Sequence, residues 1–139
     1  GYKKFNETQI SSLISVLKYL KKKYGIKSQN ILGHSDIAPN RKKDPGEKFP
    51  WRKLANKNLC QWHNLSNVKI KKQRNLKVSL FEKKTFFKNL KKMGYSNFDN
   101  IGNNSYETNV TKAFQRKFRQ NLINGKIDQE CLLISKNLL

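Results

Sequence analysis

The sequence feature that most restricts the fold is an amphipathic helix predicted near the N-terminus. Across residues 6–24 apolar side chains recur at three- and four-residue spacing, which places them on one helix face: Ile10, Leu13, Ile14, Leu17, Leu20 and Tyr24. Asn6 is a suitable N-cap with Gln9 three residues later, and Gly25 follows a lysine-rich turn as a stop signal. The sequence therefore predicts a helix with a cap at both ends.

The next segment combines a short apolar run with a loop rich in proline and glycine. Residues 30–34 are interpreted as a buried strand whose end delivers His34 to a site. Residues 36–50 form the loop, and residues 51–56 are predicted to add one or two helical turns. The first part of the chain is therefore expected to be an α/β structure of one long helix, one strand and a site loop.

Three short helices around an aromatic core are predicted for the C-terminal part. The residues Ser79-Leu80-Phe81-Glu82 have the form of a capping box, and the helix that they start ends at Gly94. Apolar residues at helical spacing would bury one another: Phe86, Phe87, Leu90 and Met93 on the first helix, Val110, Ala113, Phe114, Phe118 and Leu122 on the second, and Leu132, Leu133, Leu138 and Leu139 on the third, after the Asn124-Gly125 turn. The pattern predicts a small all-α three-helix domain.

The two parts are joined by residues 57–76, which have no clear period, several Asn and many basic residues. We interpret this stretch as a connector. The predicted boundaries are 1–58 for the α/β part, 59–78 for the linker and 79–139 for the helical domain. The chain as a whole is predicted to be mainly helical.

The length of the chain limits the size of its hydrophobic core, whereas its composition says less about its function. A chain of 139 residues can bury one modest core or two small ones. The formal net charge of +21 implies attraction to polyanions such as nucleic acid, anionic lipid or acidic cell-wall polymer. The charge is spread along the chain, so no localised binding tail is indicated. Much of it is Lys beside abundant Asn and Ile, a pattern that codon drift in an AT-rich genome also produces.

Neither membrane insertion nor cysteine chemistry is indicated. No run approaches the roughly 18 consecutive apolar residues of a membrane span, and no signal segment opens the chain. Cys60 and Cys131 have no metal-binding or redox spacing, and the sequence leaves open whether they pair.

The chemistry-bearing segment is residues 33–51, with the sequence GHSDIAPNRKKDPGEKFPW. His34 and Asp44 lie ten residues apart, a basic pair precedes Asp44, Pro45-Gly46 follows it directly, and Phe-Pro-Trp closes the segment. Over these nineteen positions the chain resembles the signature of the type 2 N-acetylmuramoyl-L-alanine amidases, relatives of phage lysozyme-amidases and peptidoglycan recognition proteins. A match of this length is more specific than a short motif.

The resemblance implies a zinc hydrolase that cuts the amide bond between N-acetylmuramic acid and L-alanine in peptidoglycan. In that family Zn²⁺ is held by two histidines and one aspartate, with water in the fourth position, and the match places the second histidine at His34 and the aspartate at Asp44. These are ligand types that Zn²⁺ prefers. Lys42 matches the position whose ammonium stabilises the oxyanion, and Asp36 is expected to brace the loop or orient a ligand rather than to bind metal.

The same resemblance implies that the family's first zinc-binding histidine and its glutamate general base precede the segment at which this chain begins. We therefore expect the 139 residues alone to be inactive. Taken in isolation, His34 is also consistent with a polar residue at a strand end, and Asp44 with a turn-former before proline. The length of the match favours the site. His63 has no ligand-like spacing and is expected to be a surface or packing residue.

The C-terminal part has a weaker resemblance of its own. Residues 111–118, followed by residues 124–128, are similar to the small three-helix peptidoglycan-binding domain, in which a helix with an Ala-x-x-Phe-Gln pattern precedes a turn. The alternative is a helical appendage without a ligand. The basic residues Arg116, Lys117 and Arg119 are candidates to face anionic peptide stems or wall polymers, but a solvated helix face has the same sequence pattern.

Three functions are compatible with parts of the sequence: an amidase, a wall-binding protein without catalysis, and a basic nucleic-acid-binding protein. The third is not expected, because no helix-turn-helix, zinc-finger or RNP pattern is present. The expected partners are peptidoglycan or muropeptide fragments, in the periplasm or cell envelope, with a cytoplasmic form that recycles muropeptides left open. The sequence does not choose between intact wall and anhydro-muropeptides as substrate.

Overall fold

The computed structural model describes residues 3–95 and 102–139. All regular structure in these residues is helical. Seven α-helices follow one another, with a single 3-10 turn, Ser28–Asn30, between the first two: α1 Glu7–Tyr24, α2 His34–Ile37, α3 Trp51–Ala55, α4 Asn67–Lys71, α5 Leu80–Lys92, α6 Asn104–Phe118 and α7 Gln129–Asn137.

The long N-terminal helix is confirmed together with both of its caps. The side chain of Asn6 accepts the N–H of Gln9, and the side chain of Gln9 accepts the N–H of Asn6 in return. Gly25 ends α1 in the left-handed conformation with φ of 63°, which a glycine adopts without the steric cost of a Cβ atom. The apolar face of α1 packs on α3 and the residues after it.

The strand predicted at residues 30–34 is wrong, and with it the α/β class. Asn30 ends the 3-10 turn, and His34 already begins α2. Ile31 and Gly33 have extended backbone, but a strand requires a neighbour whose N–H and C=O groups pair with its own, and none lies beside them in residues 3–95 and 102–139. The apolar run is too short for its period to separate a strand from extended loop.

The C-terminal helices form the larger core. The side chains of Ser79 and Glu82 cap α5 reciprocally, as predicted. Helix α5 packs against α7, and α6 completes the aromatic centre, where the rings of Phe86 and Phe114 meet edge to face at 5.1 Å between centroids. Both rings are fully buried, and aromatic side chains remove a large apolar surface from water when they are buried.

The segment predicted as linker packs against both parts. It contains α4 and buries four side chains: Leu59, Cys60, His63 and Ile70. Trp62 packs against the core around α3 and against the core of the C-terminal helices. The three domain boundaries remain a prediction. No helix in the described residues is long and apolar enough to cross a membrane.

Candidate functional site

The site is centred on His34 and Asp44, whose side chains are in contact. Nδ1 of His34 lies 3.1 Å from Oδ2 of Asp44, and the two side chains keep 48% and 61% of their surface exposed. His34 is the first residue of α2, and Asp44 lies in the loop that leads to α3. The fold therefore presents an imidazole and a carboxylate together, open to an incoming ligand.

Backbone contacts hold the site loop against α2. The N–H of Ser35 donates to the C=O of Asp44 at 2.9 Å, so the residue after the histidine fixes the residue that carries the carboxylate. Gly33 permits this approach, because a Cβ atom there would lie 2.9 Å from Cδ of Pro45 and 3.2 Å from the Trp51 ring. Glycine at position 33 is thus required by space rather than by backbone angle.

Asp36 lies beneath the site and is 1% exposed. Its Oδ2 accepts the N–H of Gly33 at 2.8 Å and lies 3.6 Å from Nζ of Lys117. Burial raises the pKa of Asp36, although the Lys117 ammonium and the Gly33 N–H act in the opposite direction. The contacts tie Asp36 to the residue that precedes His34, a position that suits the predicted bracing role.

Lys42 lies in the turn between Ala38 and Asp44. Its N–H donates to the C=O of Ala38 at 2.9 Å, and the residue is exposed. The assignment of its ammonium to an oxyanion remains a prediction.

An apolar cleft of about 220 Å³ borders the His34–Asp44 pair. Its walls come from α1, the extended residues before α2 and the start of α3: Leu13, Leu17, Ile31, Leu32, Phe49, Trp51 and Leu54 among them. The ring of Phe49 meets Phe5 on one side at 5.5 Å and Trp51 on the other at 4.7 Å. The polar pair therefore stands at the edge of an apolar surface.

A buried polar cluster, formed by Asp36, Tyr95 and Lys117, joins the site-bearing segment to the C-terminal helices. Burial lowers the pKa of Lys117, against the opposing effect of the Asp36 carboxylate, and burial first and Asp36 second raise the pKa of Tyr95 well above its ordinary value. The Tyr95 hydroxyl lies near Asp36 but has no partner at standard hydrogen-bond geometry in the described residues. Sequence reasoning missed this cluster.

The basic residues proposed to face a wall polymer are largely turned inward. Lys117 and Arg119 are 2% and 3% exposed. Arg119 pairs with Asp128 at 2.5 Å and with Glu130 at 3.3 Å. The interpretation of Lys117 and Arg119 as a solvent-facing binding surface is therefore wrong. The helical period indicates this burial, because Lys117 lies on the same apolar face of α6 as Val110 and Phe114.

Three other residues considered from the sequence are buried. His63 is 7% exposed and stacks on Trp62 at 5.4 Å, which makes it a packing residue, and burial followed by the charge of Arg52 lowers its pKa. Cys60 and Cys131 are free thiols in different clusters. Burial raises the pKa of Cys60 to about 11 and that of Cys131 to about 12, so both are poor nucleophiles.

His34 and Asp44 carry donor atoms that suit Zn²⁺, but they are fewer than a catalytic zinc site needs. Ligand atoms about 2.0–2.2 Å from one tetrahedral ion lie roughly 3.3–3.6 Å apart, close to the 3.1 Å between His34 Nδ1 and Asp44 Oδ2. In the residues described, no group of three or more His, Cys, Asp and Glu side chains gathers at metal-binding distance. The described residues therefore bring together two donors of the types that Zn²⁺ prefers, an imidazole nitrogen and a carboxylate oxygen.

Comparison with known proteins identifies the family. The family model described as N-acetylmuramoyl-L-alanine amidase matches residues 1–47. The N-acetylmuramoyl-L-alanine amidase AmiD of Escherichia coli K12 is 33% identical over 135 residues, which are 97% of this chain and 49% of AmiD. The chain belongs to the type 2 N-acetylmuramoyl-L-alanine amidase family. The family predicted from the nineteen-residue motif is confirmed.

Two solved structures match the fold over all or nearly all of this chain. AmiD from E. coli, in complex with the substrate anhydro-N-acetylmuramic acid-L-Ala-D-gamma-Glu-L-Lys, matches with a TM-score of 0.85 and 31% identity over 100% of this chain and 54% of that one. AmpDh3 from Pseudomonas aeruginosa, in complex with anhydromuramic pentapeptide, matches with a TM-score of 0.83 and 25% identity over 99% and 54%. The chain thus spans about half the length of these relatives.

Proposed function

We propose that this chain is part of a zinc-dependent amidase that hydrolyses the bond between N-acetylmuramic acid and L-alanine in peptidoglycan or its fragments. The observation that carries the proposal is the contact between His34 and Asp44 at the edge of an open cleft, 3.1 Å between Nδ1 and Oδ2. His34 and Asp44 both lie in residues 1–47, which match the amidase family model.

The proposed roles follow from what each side chain is able to do. His34 and Asp44 would hold the metal through an imidazole nitrogen and a carboxylate oxygen. When bound, Zn²⁺ polarises a carbonyl group and makes water a stronger nucleophile near neutral pH. The exposed ammonium of Lys42 would stabilise negative charge that develops on the carbonyl oxygen, a contribution of roughly 3–4 kcal/mol to the barrier.

The apolar cleft gives the site a wall that excludes water on one side. Leu13, Ile31 and Phe49 line it beside the two candidate ligands. Removing water from one face of a reacting amide strengthens the electrostatic interactions that act on it. This surface suits the uncharged parts of a muropeptide, whereas the polar pair suits the scissile amide.

The substrate class is proposed from the relatives. AmiD and AmpDh3 were each solved with an anhydromuramic peptide, and we propose muropeptides of this kind, or the wall from which they derive, as the ligands of this protein. We place the protein in the periplasm or cell envelope.

The experiment is a hydrolysis assay on the longest protein that the gene encodes. With anhydro-muropeptide as substrate, chromatography should show separate sugar and peptide products, and a metal chelator should abolish the reaction. Zinc should then restore it. A protein that retains bound zinc and binds peptidoglycan but releases no peptide would contradict catalysis and would favour a wall-binding role.

A further inference from the structure

Lys117, in the last turn of α6, is a buried lysine whose ammonium faces the site-bearing segment. Its Nζ donates to the C=O of Ile31 at 3.0 Å and lies 3.6 Å from Oδ2 of Asp36. The same atom is 4.3 Å from the centroid of the Trp51 ring. All three contacts cross from the C-terminal helices to the segment that carries His34.

A lysine in this position is costly unless its contacts are all made. Taking an ammonium out of water costs several kcal/mol, and it is tolerated only with a well-placed partner and hydrogen bonds. The C=O of Ile31 also gains a hydrogen-bond donor that it would otherwise lack, because it lies in extended backbone with no strand beside it in the described residues. The ammonium of Lys117 takes the place that a neighbouring N–H would have in a sheet.

The contacts lead from Lys117 to the candidate ligands in two short steps. Asp36, held by Lys117, accepts the N–H of Gly33 at 2.8 Å, directly before His34. Ser35, directly after His34, donates its N–H to the C=O of Asp44 at 2.9 Å. Movement of Asp36 would therefore release the residue before one ligand and loosen the loop that carries the other.

Two further contacts hold the ends of the site loop from the same direction. Nδ2 of Asn109, on α6, lies 3.1 Å from Oδ1 of Asn40, and Nε2 of Gln120, just after α6, donates to the C=O of Phe49 at 2.8 Å. Hydrogen bonds from α6 and the residues that follow it thus hold the loop near its start and near its end.

We infer that Lys117 is a positioning residue for the His34–Asp44 pair, and that helix α6 is part of the support of the site. The inference rests on the proposed function only in treating His34 and Asp44 as metal ligands. It assigns the C-terminal helices a role in the site itself, beyond that of a tethered wall-binding module.

Amide hydrogen exchange tests the positioning role without any metal. In Lys117→Met, which keeps the length and burial of the side chain, protection at the Gly33 and Ser35 amides should fall by roughly tenfold or more relative to amides in α5 and α7. The matched control is Arg116→Met, which removes a cation from the neighbouring position of α6 and should leave both amides unchanged. Unchanged protection of Gly33 and Ser35 in a folded Lys117→Met chain would overturn the inference.

Two measurements keep the test decisive if Lys117→Met does not fold. The double variant Asp36→Asn with Lys117→Met leaves no unpaired charge buried at this place, so it should recover global stability and still lose protection at Ser35. In the unmodified chain, exchange at increasing denaturant should show the Gly33 and Ser35 amides opening in one unit with the last turn of α6. Independent opening of the two regions would overturn the inference without any variant.

Zinc affinity separates this inference from the proposed function. If His34 and Asp44 bind Zn²⁺, the Kd for Zn²⁺ should rise roughly 10–100-fold in Lys117→Met and in the double variant, as for other residues that orient metal ligands, and stay unchanged in Arg116→Met. If the unmodified protein binds no zinc while Lys117→Met loses protection at Ser35, the metal assignment fails and the positioning role stands. If the unmodified protein and Lys117→Met bind Zn²⁺ with the same Kd, the positioning role fails.

Discussion

Asp44 places its carboxylate 3.1 Å from Nδ1 of His34 across a ten-residue separation in sequence, and the contact is made by a helix start and a loop rather than by two regular elements. The Ser35 N–H bond to the Asp44 carbonyl and the close packing at Gly33 fix this geometry.

Gly33→Ala should disturb the site by steric overlap. A Cβ atom would lie 2.9 Å from Cδ of Pro45, and overpacking of this kind costs about 1–3 kcal/mol. Denaturant unfolding should show this loss, and hydrogen exchange should show reduced protection of the Ser35 amide. Gly25→Ala is the control, because a Cβ there meets no atom within 4 Å and its cost comes only from the positive φ of 63°. Equal protection of Ser35 in the two variants would contradict the packing argument.

Gln115→Ala should destabilise the C-terminal helices, because its side chain joins α6 to the turn that follows it. The buried Oε1 of Gln115 accepts the N–H groups of Asn124 and Gly125 at 2.9 and 2.8 Å. Removing it leaves two part-buried donors without this partner, at a cost of at most about 1–3 kcal/mol each. Thermal and denaturant unfolding should both report the loss. An effect below that of Gln120→Ala, which removes one exposed side-chain hydrogen bond, would contradict this account.

The Arg119–Asp128 pair should contribute less to the stability of the fold as the pH falls. Burial raises the pKa of Asp128, but the N–H groups of Cys131 and Asn75 and the guanidinium of Arg119 outweigh it and bring the pKa below 3.8. The unfolded chain therefore binds this proton more readily than the folded one. The stabilisation is complete above the unfolded pKa and is lost as the pH falls through the folded pKa.

The measurement for this pair is the free energy of unfolding in urea from about pH 2 to pH 7. The unmodified chain should lose stability more steeply below pH 3.8 than Asp128→Asn, which has no carboxylate to protonate. Glu7→Gln, at an exposed pair with Lys53, should alter stability by less than about 1 kcal/mol at any pH. Parallel pH profiles for the unmodified chain and Asp128→Asn would contradict the assignment.

Much of this fold could be predicted where local chemistry decides it. The capping boxes at Asn6 and Ser79 and the glycine stop of α1 were readable because each depends on residues within a few positions. Residues 30–34 were misassigned because whether extended backbone becomes a strand depends on a neighbour that the segment itself does not encode.

The candidate site divides in the same way. His34 and Asp44 were found through a contiguous motif. Lys117 was missed because its role depends on a contact with Ile31, 86 positions away in sequence, and because a lysine is expected at the surface. Its place on the apolar face of α6 was the available signal.

Lys42→Ala should separate catalysis from metal binding in the longest protein that the gene encodes. Because Lys42 is assigned to the oxyanion, kcat on a muropeptide should fall by roughly 10²–10³ while bound zinc stays near the unmodified level. Lys43→Ala, at the neighbouring position, is the matched control and should retain most activity. Loss of zinc in Lys42→Ala would show that the role carried over from the family is wrong.

Zinc binding by His34 and Asp44 is tested most directly by calorimetric titration of the 139-residue chain, and of the longest protein that the gene encodes, with Zn²⁺. The 139-residue chain should bind weakly, because its described residues offer two donors, and His34→Ala and Asp44→Ala should each remove binding in both proteins. Glu47→Ala, which removes an acid three positions after Asp44, should leave the affinity unchanged. Zinc binding that survives both His34→Ala and Asp44→Ala would contradict the account.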